Sequence, residues 1–276
     1  MILPDTNQLK CNDVGGVVYY SFPSIDGLGF VKHGFSTRFG GVSHGDFASM
    51  NLGFGRGDSD SNVRKNYVLL CDAIGVDAQR LVLSSQEHHT NILVAGEQHR
   101  GAGFSHPRQF SDVDGLMTNQ RDVVLCTFYA DCVPLFFADP VKKVIGMAHS
   151  GWRGTAARIG ARFVTKMTDE FGCDPKDIVA GIAPSIGPCC FEVDRPVYDV
   201  FAAMPEGDGA CIEKDGVPDK YMVDLWHINK NILLDAGIDE HNITVTDLCT
   251  CCHPDVFWTH RKLGAKRGSL VGIMSL

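Results

Sequence analysis

The distribution of apolar residues divides the chain into strand-like and helix-like segments. Short runs rich in Val, Ile, Leu and aromatic residues, bounded by Gly, Pro or polar residues, are typical of strands. By this criterion strands are predicted at 14–22, 81–84, 91–96, 243–248 and 269–276. The two most apolar runs, 123–139 and 144–151, predict two buried strands joined by the short turn Asp139-Pro140-Val141-Lys142-Lys143.

Three further segments have the periodicity of amphipathic helices. They are 60–75, 155–171 and 224–237, and each ends at or near a glycine, as helices often do. Strands and helices together predict a mixed α/β or α+β fold with a sizeable central sheet. No repeat, low-complexity tract or Pro/Ser-rich linker interrupts the chain, so we expect residues 1–276 to form a single domain.

The composition limits the classes of function. Hydrophobic residues make up 44% and charged residues 21%, as in an ordinary folded protein. Lys and Arg total 25 against 33 Asp and Glu, and the net charge of -8 argues against a non-specific nucleic-acid or anionic-membrane binder. The longest apolar stretch, 123–138, contains Asp131 and is too short to span a bilayer.

The cysteines indicate a reducing compartment. There are 11, an odd number that includes adjacent pairs, and the N-terminus lacks a basic segment followed by an apolar one. We therefore expect reduced thiols in a cytoplasmic protein. The cluster Cys249-Thr250-Cys251-Cys252-His253 resembles half of a metal site, but no second Cys-x-x-Cys completes it, and packed thiols are expected.

A solvated hairpin is predicted for the basic residues Arg261, Lys262, Lys266 and Arg267.

The most informative residues lie at the ends of the two buried strands. Pairing through the turn at 139–143 would place Cys132 and His149 at corresponding ends of a hairpin. A thiolate and an imidazole so placed can act as nucleophile and base or as two metal ligands. A strand cysteine can equally be a small buried core residue.

A polar loop at 85–90 carries two adjacent histidines. Either His88 or His89 could complete a Cys-His-His set with Cys132 and His149, and a solvated loop histidine is the alternative. Three protein ligands leave the fourth zinc position open for water or substrate, which is typical of catalytic sites.

A glycine-rich segment at 33–43 offers a candidate anion site. The hydroxyl of Ser36, the guanidinium of Arg38 and the free backbone amides of the Gly40-Gly41 pair could form an anion cradle. A glycine-rich turn between strands is the alternative.

The motifs follow one another in the order STRFGGVS, ASMNLG, SQEHH, DGLMT, ADCVPL, HSGWRG, GPCCFEV, DLCT and KRG. From about residue 30 to the C-terminus this series resembles the YfiH/LACC1 family, most specifically in the ADC-x-P and HxGWRG motifs. The resemblance implies a layered α/β/α-type domain, similar to a cysteine-type toxin deamidase, and zinc held by His88, Cys132 and His149. His88 keeps the family's offset from Gln86 and is therefore preferred to His89.

The resemblance also implies purine nucleoside chemistry. The expected reactions are phosphorolysis of adenosine, inosine and S-methyl-5′-thioadenosine, and deamination of adenosine. In the hypothesis that follows, zinc activates a water molecule for attack at purine C6, and Asp131 or Glu87 transfers the proton.

Phosphate would be held by Ser36, Arg38 and Arg153 for attack at ribose C1′, and Asn51 would hydrogen-bond the ribose or base.

The family's older laccase name implies copper, but the chain lacks the His-x-His pairs of copper centres, and a Cys-His-His set suits zinc at least as well. The predicted partners are therefore small molecules, without nucleic acid or membrane, bound by a monomer or homodimer.

Two other classes of function stay open. A cysteine hydrolase or amidase acting on cell-wall peptide precursors would use Cys132 as nucleophile and His149 as base, without metal. A non-catalytic protein would use the same pocket to sense a nucleotide or bind a partner. Metal content separates the first class from a zinc enzyme, because a tightly bound thiolate is not a free nucleophile. Turnover that depends on Cys132 would exclude the second.

Overall fold

The computed structural model describes residues 5–214 and 216–276. Its strands are β1 Lys10–Val14, β2 Val17–Ser21, β3 Lys32–Ser36, β4 Leu81–Leu83, β5 Ile92–Val94, β6 Gly115–Thr118, β7 Val124–Tyr129, β8 Val133–Asp139, β9 Val144–Ser150, β10 Val179–Ile182, β11 Glu192–Asp194, β12 Cys211–Glu213, β13 Lys220–Val223, β14 Ile243–Val245 and β15 Leu270–Ser275. Its α-helices are α1 Pro23–Asp26, α2 Asp60–Ile74, α3 Trp152–Ala156, α4 Ile159–Phe171, α5 Arg195–Ala202, α6 Leu225–Asp235 and α7 His260–Leu263. Within these two ranges, no helix combines the length and apolar character needed to cross a membrane.

Two six-stranded sheets make up most of the fold. The first has the order β1-β2-β3-β15-β7-β4 and the second β14-β10-β8-β9-β6-β5. They stack face to face, since residues of β2, β3 and β7 share one buried cluster with Phe136 of β8 and Met147 of β9. At this contact a Cβ on Gly272 would lie 2.8 Å from the Phe136 ring, so the close approach of the sheets requires glycine.

Helices cover the outer faces of both sheets. On the first sheet, α2 contributes Val63 and Tyr67 to a buried cluster with Val271 of β15. On the second, Phe163 of α4 stacks on Phe137 of β8 with ring centroids 4.5 Å apart, and α6 packs beside α4. A small sheet of order β11-β13-β12 packs against α5. The mixed α+β class is confirmed, but the strands form two stacked sheets instead of one central sheet.

The prediction of a single strand over 123–139 is wrong. This run contains β7 in the first sheet and β8 in the second, and the chain crosses between the sheets at 130–132. Asp131 has φ = 87°, in the left-handed region that strands do not use, so strand geometry ends there. The crossing places Cys132 at the junction of the two sheets.

The predicted helix at 155–171 is also interrupted. α3 and α4 are separated at Arg158, which has φ = 58°. The Arg158 guanidinium forms an ion pair with the buried Glu206 carboxylate, with a nitrogen-to-oxygen distance of 2.7 Å. The helices predicted at 60–75 and 224–237 are confirmed as α2 and α6. Gly75, with φ = 83°, ends α2 in the expected left-handed conformation.

The hairpin predicted on either side of the 139–143 turn is confirmed. β8 and β9 are antiparallel neighbours, with Pro134 opposite His149. Asp139 closes the turn, because its Oδ1 accepts hydrogen bonds from the N–H groups of Val141 and Lys142 at 2.7 and 2.8 Å. Cys132, which directly precedes β8, is thereby brought to the end of β9 that carries His149.

Phe136→Ala is expected to lower the free energy of unfolding by about 3–5 kcal/mol, because it removes a fully buried ring from between the sheets. Val141→Ala, at a position that is 62% exposed, serves as the control and should change it by less than about 0.5 kcal/mol. Urea unfolding followed by circular dichroism measures both variants. Similar losses in the two would contradict a core built at the sheet-to-sheet contact.

Candidate metal centre and its cavities

The fully buried carboxylate of Asp114 organises the site. It directly precedes β6 and accepts hydrogen bonds from the successive backbone N–H groups of Glu87, His88 and His89 at 2.9–3.1 Å. Its Oδ1 also lies 2.7 Å from Nδ1 of His149, on the neighbouring strand β9. One side chain therefore fixes both the loop that carries two histidines and the ring of a third.

His88, Cys132 and His149 meet at one point. Their ligand atoms, one ring nitrogen from each histidine and the cysteine sulfur, lie within 4.8 Å of one another. Because Nδ1 of His149 is held by Asp114, its Nε2 is the nitrogen available to a ligand. A Cβ on Gly151 would lie 3.1 Å from Nδ1 of His88 and 3.2 Å from the Cys132 sulfur, so glycine keeps this space open.

Opposing electrostatic effects set the protonation of these groups. Burial raises the pKa of Asp114, but hydrogen bonds from His149 and the loop N–H groups outweigh it, and the pKa lies below its usual value. Burial lowers the pKa of His149, yet the Cys132 sulfur and the Asp114 carboxylate raise it to about 9. The pKa of His88 moves the other way, because burial and the charge of His149 lower it. The two histidines therefore differ in basicity, and of the two rings only that of His149 is hydrogen-bonded to the Asp114 carboxylate.

His89 and Glu87 are directed away from this set. Nδ1 of His89 pairs with the Asp112 carboxylate at 2.8 Å on the exposed side of the loop, and Glu87 lies in the same group. Of the two adjacent histidines, the structure thus brings His88 to Cys132 and His149.

Asp131 adjoins Cys132, but both of its carboxylate oxygens are already engaged. Oδ1 accepts a hydrogen bond from the Thr250 hydroxyl at 2.7 Å, and Oδ2 accepts one from the Arg261 backbone N–H at 2.6 Å. These hydrogen bonds position Asp131 at the crossing from β7 to β8, and the proton transfer assigned to it stays a prediction.

A cavity of about 480 Å³ is lined by His88, Cys132 and His149. Three arginines, Arg56, Arg108 and Arg267, also line it, whereas none of its lining residues in the described part of the chain is Asp or Glu. Hydroxyls and aromatic rings complete the wall, among them Ser84, Ser269, Phe54 and Phe128. The cavity therefore has a strongly cationic wall beside the candidate metal ligands.

Arg267 is only 8% exposed, unlike the other two arginines. Its Nη1 donates to the Gly268 carbonyl at 2.8 Å, but no protein group accepts from its buried Nε. Burial and the charge of Arg56 lower the pKa of Arg267 to about 10. A buried guanidinium with an unused donor beside a second cation is suited to binding an anion. The predicted solvated hairpin is wrong for this residue, because the chain after α7 turns it into the cavity wall.

A second cavity, of about 340 Å³, adjoins the first and shares His88, Cys132 and Arg267 with it. Its wall is more apolar and aromatic, with Trp152, Ile186, Phe191 and Leu225. The candidate metal ligands therefore face one cavity lined by three arginines and a second in which apolar and aromatic side chains lie beside Arg261 and Arg267.

Two predicted phosphate ligands, Ser36 and Arg38, line neither cavity. Ser36 is fully buried in β3, where its Oγ accepts a hydrogen bond from the Val271 N–H at 2.9 Å. The Arg38 guanidinium lies 3.8 Å over the Trp258 ring and donates to backbone carbonyls. The structure therefore brings neither residue to these cavities, because other partners hold the hydroxyl and the guanidinium, and their role in phosphate binding stays a prediction.

The other two predicted substrate residues differ in their distance from the cavities. Asn51 is fully buried and lines neither of them; its Oδ1 accepts the Ser269 N–H at 3.0 Å, so it supports the cavity wall indirectly. Arg153 lies over the ring of Trp152, which lines the second cavity, and its charge contributes to the low pKa of His88. Arg153 is therefore near the site.

Asp114 and the three cavity arginines have no functional role in the predictions from sequence. Asp114 opens the DGLMT motif and Arg267 lies in KRG, so both fall within the series of family motifs. An aspartate directly before an apolar strand was the available signal, because a buried carboxylate needs specific partners. No spacing rule links it to His149, since the two residues are 35 positions apart.

Comparisons with known proteins agree with this architecture. A family model described as multi-copper polyphenol oxidoreductase laccase matches residues 32–276. Purine nucleoside phosphorylase YlmD of Bacillus subtilis (strain 168) is 36% identical over 244 residues, which cover 88% of this chain and 87% of that protein. The crystal structure of the hypothetical protein YfiH of Bacillus licheniformis aligns with a TM-score of 0.89 and 31% identity, covering 98% and 100% of the two chains.

The chain belongs to the YfiH/LACC1 family. The relatives' names include a second activity: adenosine deaminase RL5, from an unknown prokaryotic organism, is 29% identical over 247 residues, or 89% of this chain and 92% of that protein. These names place purine nucleoside processing in the YfiH/LACC1 family. The description of the family model names copper, whereas one thiolate with two imidazoles also suits zinc.

Asp114→Asn is expected to weaken metal binding by roughly 10- to 100-fold, because His149 loses the carboxylate that orients it. Asp112→Asn is the matched control: its carboxylate pairs with the exposed His89, and metal affinity should be unchanged. Competition with a chromophoric chelator measures both affinities. Equal affinities in the two variants would contradict the role given to Asp114.

Proposed function

We propose that this protein is a zinc-dependent purine nucleoside phosphorylase that also deaminates adenosine. The observation that carries the proposal is the juxtaposition of the Cys-His-His set with a cavity walled by Arg56, Arg108 and Arg267. The names of the relatives, purine nucleoside phosphorylase and adenosine deaminase, support the class of substrate.

Phosphorolysis requires an anion held beside the ribose. The unused Nε of Arg267 and the neighbouring Arg56 guanidinium supply donors and positive charge for phosphate, in place of the predicted Ser36 and Arg38. A phosphate oxygen then attacks ribose C1′ while the bond from C1′ to purine N9 breaks and its electrons leave with the base. Adenosine, inosine and S-methyl-5′-thioadenosine all contain this bond, and a cavity of about 480 Å³ is of the size that small ligands occupy.

The residues present fit a zinc ion. His88, Cys132 and His149 would hold it, the Asp114 carboxylate orients the third ligand, and Gly151 leaves the space beside them open. When bound, zinc supplies Lewis-acid catalysis at the cavity wall.

The same donor set favours deamination as a second reaction of the site. Displacement of the 6-amino group requires a water molecule beside C6 of the purine base, and phosphate takes no part in it. The apolar cavity that shares His88 and Cys132 could take the purine ring, with Trp152 and Phe191 contacting its faces.

One observation favours a different candidate function. Cys132, His149 and Asp114 follow one another as thiol, imidazole and carboxylate, the arrangement of a cysteine hydrolase. Such an amidase, acting on cell-wall peptide precursors, has no need of His88, whereas a metal site does. Convergence of His88 on the same point is therefore the reason to prefer the metal enzyme.

Adenosine incubated with zinc-loaded protein is expected to give adenine only when phosphate is present, and inosine without phosphate. Cys132→Ala should abolish both products, whereas Cys211→Ser, which changes a half-buried thiol away from the site, should keep them. Chromatography of the reaction mixture measures both products. If the wild type forms neither, the assignment fails and the cysteine hydrolase becomes the leading candidate.

Arg267→Gln is expected to raise the KM for phosphate by roughly 10-fold or more, since a charge-assisted hydrogen bond in a buried site is lost. Phosphate-independent deamination should fall much less. Arg121→Gln, at an exposed position outside the cavity, is the control and should leave both reactions unchanged. Steady-state kinetics with varied phosphate decides the point, and an unchanged KM in Arg267→Gln would refute phosphate binding there.

A further inference from the structure

A second group of sulfur atoms lies apart from the Cys-His-His set. Cys189 and Cys190 in one turn, and Cys249 and Cys252 in another, have all four Sγ atoms within 4.8 Å of one another. The Sγ atom of Cys252 is 3.4 Å from that of Cys189 and 3.5 Å from that of Cys190. We propose that these four thiolates form a structural zinc site.

Backbone hydrogen bonds hold the two turns side by side. Ser185 and Cys249 form a parallel bridge, in which the Thr250 N–H donates to the Ser185 carbonyl at 3.0 Å. The Gly187 N–H donates to Sγ of Cys249 at 3.2 Å, a contact that stabilises a thiolate. The sequence shows one Cys-x-x-Cys and no second; the missing half of the site is the adjacent pair Cys189-Cys190, brought in by the fold.

The spacing of the sulfurs suits a single small ion. Four sulfurs placed tetrahedrally at about 2.3 Å from zinc lie about 3.8 Å from one another. Two of the sulfur separations here are 3.4 and 3.5 Å and all lie within 4.8 Å, which is compatible with that value. A multinuclear iron–sulfur cluster would hold its cysteine sulfurs farther apart, so a mononuclear soft ion in an all-sulfur site is the species that fits.

The charges of the cluster also call for a cation. Four ionised sulfurs at these distances repel one another unless a divalent cation lies between them.

The four-cysteine site would stabilise the position of Cys132 in the candidate active centre. Both turns hydrogen-bond to Asp131, which adjoins Cys132: the Ile186 N–H donates to its carbonyl at 2.9 Å and the Thr250 hydroxyl to its carboxylate at 2.7 Å. An ion that joins the turns would therefore fix the crossing between the sheets that carries Cys132. This zinc would be structural, because all four of its positions are filled by protein ligands.

The test is metal analysis of the full-length protein purified under reducing conditions. The double variant Cys189→Ser/Cys252→Ser, which changes two exposed residues, is expected to hold one metal equivalent per chain fewer than the wild type. Cys132→Ala should lose a different equivalent, and the control Cys211→Ser none. After cobalt substitution, the thiolate-to-cobalt absorption should fall mainly in the double variant, since the Cys-His-His set contributes only one sulfur.

Two results would overturn the proposal. One is an equal metal content in the wild type and in Cys189→Ser/Cys252→Ser, once gel filtration and a cooperative unfolding transition show that both proteins are folded. The other is a Cys189–Cys252 disulfide, found by mass spectrometry of protein purified without reductant, in place of the bound ion. Neither result tests the proposed nucleoside activity, which the Cys132→Ala variant tests separately.

Discussion

Removal of the Asp114 carboxylate from water is the constraint on which the site depends. A fully buried carboxylate is tolerated only when hydrogen bonds replace its hydration, and here three loop N–H groups and one imidazole do so. His88 keeps its left-handed backbone, with φ = 64°, because its N–H is one of those donors. The loop and strand β9 therefore cannot shift independently, and the separation of their two histidines is set by one side chain.

Local patterns in the sequence predict the parts of the structure that are held by local interactions. Helix α2 and the β8–β9 hairpin follow from periodicity and turn residues within a few positions of one another. The crossing at Asp131 and the break at Arg158 do not, since partners far along the chain, Thr250 and Glu206, hold them. The same reason explains why Ser36 and Arg38 lie outside both cavities. Their chemistry is visible in the sequence, but Val271 and Trp258, which use it, are more than two hundred positions away.

One arrangement of atoms is compatible with two kinds of chemistry. A carboxylate behind an imidazole can orient a metal ligand or a general base, and a neighbouring thiolate can bind an ion or attack a carbonyl carbon. Cys132, His149 and Asp114 satisfy both descriptions. The third ligand separates them, and its presence depends on the hydrogen-bonded loop. The hydrogen bonds that place His88 therefore decide between the two descriptions.

The buried Arg267 also affects the stability of the whole fold. Its Nε is buried without a protein acceptor, and a buried donor that stays unpaired disfavours folding by about 1–3 kcal/mol. An anion in the cavity would relieve this penalty, so the native state should be most stable when the cavity is filled. The cellular abundance of such a protein can then follow the concentration of its ligand, since unfolded chains are removed by proteases.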